Sequence, residues 1–507
     1  MALIVVAVAV VIFAIAARIE AFPLSWAPMY ARRATFQGAQ RAWVNAHGCH
    51  FEGLRVDGTP LVLTAAKLNV GRAAFRRLCT DRMNHEPWHP WLLRSINNTL
   101  GFEPADARRI VTLRSTVQRI DTGFLSGDFP ELRPQRVRLQ TTASPRADGP
   151  RPRAKSWQHP DPSWAVGTTA VGLWLFAVAA IAQSRRPLWR RARRAWDDYW
   201  FAGGELLSLG LLRAVVGFGL VFWLVAGDAS SWSWLFRLDP VGPSFEYLSP
   251  IWYFRALGVE AQFPWALRGV YAVLLFSALC VCLGARTRVA AVVAIFAIAV
   301  LKGARDSQAG DTHHREIMWV YALLVLACSR CDHAFSLSTW LGRRRGKSNT
   351  TVSAAEAAWP IRLVQVLIIS FYFAAGVAKL RLSGAAWLDG ELIQGLLFQR
   401  AVRDGIDPAG LGLELARHAW LCQGLACASV ALELAFPVLL FLRPNSRLQI
   451  AFLSSVCAFH WANGILCDVK FGTTPFLFAA FLDLGQAARG IRARGNAILA
   501  RFFRRRR

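Results

Sequence analysis

Residues 371–390 read FYFAAGVAKLRLSGAAWLDG, from Phe371 to Gly390. The apolar run that leads into them begins near Trp359, just before Pro360. It lasts for the length of a membrane helix, with Arg362 as its only early charge. Its last turns are small (Ala374, Ala375, Gly376, Ala378), and small residues let neighbouring helices approach closely. Lys379 comes next, then Arg381, a Ser-Gly turn and Trp387-Leu388-Asp389-Gly390. A lysine at a tightly packed helix end is either a snorkelling anchor or a working group. The stretch therefore predicts a helical membrane fold and marks Lys379 as a candidate site.

The whole chain agrees with a membrane reading. It has 507 residues, 54% of them hydrophobic, and a mean hydropathy of +0.31, high for a soluble protein. Lys and Arg number 59 against 32 Asp and Glu, a net charge of +27. The excess falls between apolar runs, so positive-inside topology and contact with membrane lipids account for it, and no nucleic-acid module is visible. The ten cysteines form no CxxC pattern with a partner pair, and no metal site is expected.

Taken in order, residues 1–17 form an N-terminal transmembrane anchor that lacks the basic start of a signal peptide. Residues 18–163 read as an extracytoplasmic soluble domain of α+β type, with a Pro-rich linker at 141–163. Helical spacing over 65–83 turns Leu68, Phe75 and Leu78 inward; 88–100 is a second helix, and 60–63 and 136–139 are short strands. Cys49 and Cys79 are the domain's only cysteines and candidates for a disulfide. From 164 to 488 apolar runs alternate with short polar loops at 164–182, 206–226, 265–283, 289–303, 316–330, 359–378, 418–442, 448–466 and 473–488. With the first run this makes about ten transmembrane helices. The expected fold is an all-α polytopic membrane bundle with a small α+β domain inserted after its first helix, and a basic tail at 489–507. Basic residues recur in alternate loops at 184–194, 286–288, 343–347, 443–447 and the tail. The positive-inside rule makes that side cytoplasmic, so both termini lie inside the cell (inner) membrane and 18–163 outside it.

The opposite side then collects titratable groups. Lys379 leaves one span, His313 and His314 precede another, and His460 lies within the ninth, in Phe459-His460-Trp461-Ala462-Asn463. Polar groups at such depth are costly unless paired or facing a cavity. An apolar pocket disfavours a charged lysine, and a neutral lysine is a base; a neighbouring histidine can stabilise an anion formed on a substrate. Each residue alone has a plainer reading: a snorkelling Lys379–Arg381 pair, an interfacial histidine pair, a packing histidine, a belt tryptophan at Trp387. Glu433 is the odd charge inside a span, and an arginine such as Arg213 is an available partner.

The stretch FYFAAGVAKLRLSGAAWLDG resembles the vitamin K-dependent gamma-carboxylase-like transmembrane family, the HTTM domain, in which an aromatic helix ends in Gly-x-x-Lys before Trp-x-x-Gly. Leu283-Gly284-Ala285-Arg286-Thr287-Arg288, His313-His314-Arg315-Glu316-Ile317 and Phe459-His460-Trp461-Ala462-Asn463 are similar to three further stretches of that family, in order over roughly 205–488. The resemblance implies a lyase-like carboxylase or quinol epoxidase. Lys379 would deprotonate a reduced vitamin K or menaquinone-type quinol, and His314, or else His313, would stabilise charge on it. His460, Trp387, His313 and Asn463 become substrate-binding candidates. A lipid-soluble quinone and a protein or peptide substrate are the implied partners. The chain departs from the animal carboxylase in ending at a basic tail without a large soluble region after the membrane part, and in having His313 where asparagine is expected. A non-catalytic scaffold binding a partner through the outer domain is the alternative; a transporter would call for repeats that are not visible.

Overall fold

The computed structural model describes residues 43–64, 89–121, 134–141, 186–226, 250–259, 263–309, 316–346, 351–403, 411–467 and 473–505, with a few shorter pieces between. The expected spans at 1–17 and 164–182, the linker at 142–163, and His313 and His314 lie outside these residues.

Short pairs β1 (Glu20–Ala21) and β2 (Leu24–Ser25) meet antiparallel. The N-terminal domain is built on β3 (Trp43–Arg55), β4 (Pro60–Leu63), β5 (Ile110–Asp121) and β6 (Pro134–Thr141), in the order β4-β3-β5-β6, every pair antiparallel. The β3–β4 turn forms because Gly58 takes a left-handed backbone and Asp57 accepts hydrogen bonds from Thr59 N (2.8 Å) and Oγ1 (2.6 Å). Helix α1 (His89–Thr99) covers one face, burying Trp91, Leu92 and Ile96 against Phe51, Leu63 and Leu113. Asn97 takes the place of a strand neighbour, donating to Ile110 O (2.9 Å) and accepting from Ile110 N (2.8 Å). The α+β reading holds, with β3 and β5 the elements not foreseen. Leu68 and Leu78 are buried in this core and Phe75 packs against it, as their spacing predicted. Cys79 is buried and disulfide-bonded. The seven cysteines from Cys280 to Cys457 are free, which leaves Cys49 and Cys467 as its possible partners.

The rest is helical: α2 (Arg186–Phe201), α3 (Leu206–Val225), α4 (Trp252–Ala256), α5 (Pro264–Leu283), α6 (Thr287–Ala309), α7 (Ile317–Cys328), α8 (Leu337–Arg344), α9 (Ala354–Ser383), α10 (Glu391–Arg403), α11 (Leu411–Arg417), α12 (Ala419–Leu434), α13 (Arg447–Cys467) and α14 (Leu484–Arg505). Among the described residues five stretches are long and apolar enough to cross a membrane: α3, α5, α6, α9, and α12 continued to Leu440. They match five of the expected spans. Helix α7 has only 12 residues. The expected span at 473–488 is not one helix: a 3₁₀ helix, Thr474–Phe481, ends there and α14 begins. Helices approach closely where glycine stands. A Cβ at Gly219 would lie 2.6 Å from the Trp319 ring, and one at Gly217 2.3 Å from the Cys282 backbone.

The basic loops do gather at one end. Ser338 N reaches Gly284 O (3.3 Å), so α8 lies on the α5–α6 turn. Gly210 of α3 touches the Ala334 backbone, and Gly204 that of Ala354 and Ala358. Asn445 bonds to Asp483 and Asp483 to Ser208, while Arg489 pairs with Glu205. The loops bearing Arg286, Arg343 and Arg443 and the start of α14 thus share the end at which α3, α6, α9 and α13 begin.

Candidate functional site

Helix α9 opens at that basic end with a reciprocal capping box between Ser353 and Glu356, which fixes its start. Its 30 residues hold Tyr372, Gly376 and Lys379 at positions i, i+4 and i+7, one face of the helix. That face meets α12 and α13. Gly376 has no side chain where α12 passes: a Cβ there would stand 3.1 Å from Glu433 Cβ and Leu434. The close approach lets Lys379 Nζ form an ion pair with Glu433 Oε1, both side chains only 8% exposed.

The chain after α9 roofs this pair. A 3₁₀ turn, Gly384–Asp389, leads to Gly390, whose left-handed backbone (φ +85) brings it against α12; a Cβ would fall 2.4 Å from Gln423 N. Trp387 is held buried on Ala426 and Val430. Its ring centroid is 4.8 Å from Lys379 Nζ, a cation–π distance. Lys379 is therefore no snorkelling anchor: it faces a carboxylate and an aromatic ring inside the bundle.

One turn nearer the basic end, Tyr372 Oη and His460 Nε2 are 2.5 Å apart, both buried. Tyr372 stacks on Phe436 with centroids 4.0 Å apart, and His460 lies along Phe478 at 6.2 Å. Tyr372 and Lys379 lie two turns apart on one face of α9, so the two pairs line one seam of the bundle. Asn463 is half-buried one turn beyond His460, while Trp461 faces outward at 73% exposure. The structure thus brings together Lys379, Trp387 and His460 of the expected residues.

Two features were not foreseen. Glu433 pairs with Lys379 and not with Arg213. Arg213 lies fully buried at the basic end, where it donates to Gly210 O (3.3 Å) and Phe335 O and packs on Gly284. The second is a cluster that joins four charges, among the described residues, at the opposite end of α6. Lys302 pairs with Asp306 and lies 3.7 Å from Glu316; Arg305 is 2.7 Å from Glu316 and 3.6 Å from Asp306. Lys302, Asp306 and Glu316 are almost wholly buried. The sequence signal was present: LKGARDSQ carries charges one helical turn apart at the end of an apolar run. The ring fixes α6 to Glu316 at the start of α7, two residues after His314.

A family model for the HTTM domain matches residues 204–484, more than half of the chain. The chain belongs to the HTTM family. The HTTM domain begins where α2 gives way to α3 and ends at the first residue of α14, so the N-terminal domain and basic tail lie beyond its bounds. No curated protein and no solved structure matches the chain. Lys379, Glu433, Trp387, Tyr372, His460 and the charge ring all fall within the HTTM domain.

Proposed function

We propose that this HTTM protein is an integral membrane enzyme that takes a lipid-soluble quinol against the Lys379–Glu433 pair. The observation that carries the reading is a buried, paired lysine facing an aromatic ring within an apolar bundle. Lysine held in that way has no anchoring role to explain it, and a buried ion pair is costly enough to be retained for a purpose.

The residues suit a quinol. Glu433 Oε2 is buried and accepts no hydrogen bond among the described residues, so the pair presents one open acceptor. Trp387, Phe436 and Phe478 offer aromatic faces near it. A bound hydroquinone supplies a weakly acidic phenolic hydroxyl that becomes strongly reducing once its proton is removed. Lys379 first passes its own proton to Glu433; its neutral amine then receives the phenolic proton, and the ammonium so formed balances the phenolate while Glu433 stays protonated. Tyr372 and His460 hold a second proton-bearing contact beside it, and Trp387 excludes water from the lysine. Carboxylation of a glutamyl or other acceptor is the coupled reaction that the family likeness adds.

The test is turnover. Protein purified in mild detergent is extracted and its lipids identified by mass spectrometry; reduced menaquinone or vitamin K is then supplied with oxygen. Wild type should form quinone epoxide and Lys379→Ala should not. Equal epoxide from both, or none from wild type, overturns the reading and leaves the HTTM fold serving a partner of the outer domain.

A further inference from the structure

The last helix is out of keeping with the bundle that launches it. Helix α14 is firmly seated for its first turn: Gly485 N donates to Ser208 Oγ (3.0 Å), Gln486 N to Asp483 Oδ1 (2.9 Å), and Arg489 pairs with Glu205. Beyond Arg489 the helix continues to Arg505, yet Ile491, Arg492, Ala493, Arg494 and Asn496 are exposed. Ile491 is 72% exposed. Gly485, Gly490 and Gly495 interrupt it, each costing about 1 kcal/mol relative to alanine in a helix interior. A helix so exposed over 491–496 is marginal in water, and a surface would complete it.

The sequence says which surface. Residues 484–507 contain eight arginines and no Asp or Glu. Ile491, Ile498, Leu499, Phe502 and Phe503 recur at i, i+7, i+8, i+11 and i+12, one stripe of a helix, with most of the arginines off it. Helix α8, at the same end of the bundle, repeats the design in miniature: Arg344 lies 4.0 Å over the Trp340 ring, and Trp340, Leu337 and Leu341 are exposed. The membrane surface at this end is the one face that offers phosphates and an apolar boundary together, within reach of a helix tethered to the bundle.

We propose that α14 from Arg489 onward is an interfacial helix lying on anionic phospholipid, its arginines on headgroup phosphates and its Ile/Phe stripe in the acyl boundary. Basic residues near an anionic leaflet are attracted to it, and the attraction is lost as salt screens it. The helix then acts as a sensor of lipid charge. It is held down on anionic membrane and released on neutral membrane, with its first turn fixed to Glu205 and Ser208 throughout.

The test uses the full chain in nanodiscs of phosphatidylcholine alone or mixed with phosphatidylglycerol. Trypsin cleavage at the arginines of 489–507 is followed by mass spectrometry, with the exposed Arg108 site of the outer domain as internal control. Anionic lipid should slow tail cleavage at least about tenfold relative to Arg108, and about 1 M salt should abolish the protection. Ile491→Glu, which keeps every arginine, should also weaken it. Equal cleavage in the two lipids overturns the proposal. So does protection indifferent to salt and to Ile491→Glu, or protection that appears only when RNA is added.

Discussion

The Lys379–Glu433 pair makes the sharpest prediction, because stability and function should separate there. Both side chains are 8% exposed, so solvent screens neither charge appreciably. Removing one partner strands the other: Lys379→Met leaves a buried carboxylate and Glu433→Leu a buried ammonium, and each single change should cost about 3–5 kcal/mol. Lys379→Met also loses the cation over Trp387, about another 1 kcal/mol. The double variant strands nothing. Met and Leu nearly conserve the volumes they replace, and exchange of a buried pair for apolar residues is often neutral or stabilising. The double should therefore lie within about 1 kcal/mol of wild type, an interaction energy of roughly 5 kcal/mol or more across the cycle. Thermal unfolding in detergent, followed by tryptophan fluorescence, reads this as singles melting at least about 3 °C lower and a double that recovers. Turnover should be absent in all three. Singles as stable as wild type, or a double whose losses simply add, would refute the buried-pair reasoning; a double that still forms epoxide would refute the catalytic role.

Other outcomes follow from neighbouring residues. Tyr372→Phe keeps the ring on Phe436 but deletes the bond to His460; it should cost about 1–3 kcal/mol and slow turnover without abolishing it, checked by the same melts and by initial rates. Gly376→Ala should be mild and Gly376→Val severe, because the first methyl already stands 3.1 Å from Glu433 Cβ; the severe variant should lose turnover before it loses expression. Glu316→Gln opens the charge ring and should destabilise by about 3–5 kcal/mol, whereas exchanging the charges in Arg305→Glu/Glu316→Arg should recover part of that in melts. In the N-terminal domain the Arg108 side chain, then its amide, holds the Asp106 carboxyl below its usual range. Its contribution is therefore present above the unfolded value of 3.8 and lost as pH falls through the lower folded value. Hydrogen exchange at Arg108 and Arg109 should rise below about pH 4, and Asp106→Asn should remove that dependence.

Legibility varied with the range of the interactions involved. Apolar length and small-residue spacing are local, so α3, α5, α6, α9 and α12 were readable, as was the grouping of basic loops that their contacts bear out. Lys379, Trp387 and His460 were readable because one motif carries the first two and an aromatic neighbour marks the third. The partner of Glu433 was not. An acid inside a span announces that it is paired, but which cation reaches it depends on where Gly376 lets α9 and α12 meet, a long-range packing fact. The span expected at 473–488 failed for a local reason: Pro475 follows Thr474 at the start of a 3₁₀ helix, and Asp483 begins a new helix by accepting from Gln486 N. Apolar content alone does not distinguish such a break from a continuous helix.

Two clusters of buried charge stand within this HTTM domain, and their difference assigns their roles. In the α6–Glu316 ring every charge has two opposite neighbours: Lys302 meets Asp306 and Glu316, and Arg305 meets the same two. Among the described residues these four charges balance one another, and they tie one helix to the next. At the other cluster Lys379 has a single carboxylate, and a tryptophan face stands where a second acid would close the set. Glu433 in turn has one oxygen on the lysine and, among the described residues, none on the other. A cation–π contact stabilises the ammonium form and, unlike a second carboxylate, takes up no proton when the amine gives one away. A proton can therefore pass between Lys379 and Glu433 without changing the net charge of the pair. On the proposed reading proton transfer falls to Lys379 and Glu433, while Lys302, Arg305, Asp306 and Glu316 tie α6 to the start of α7.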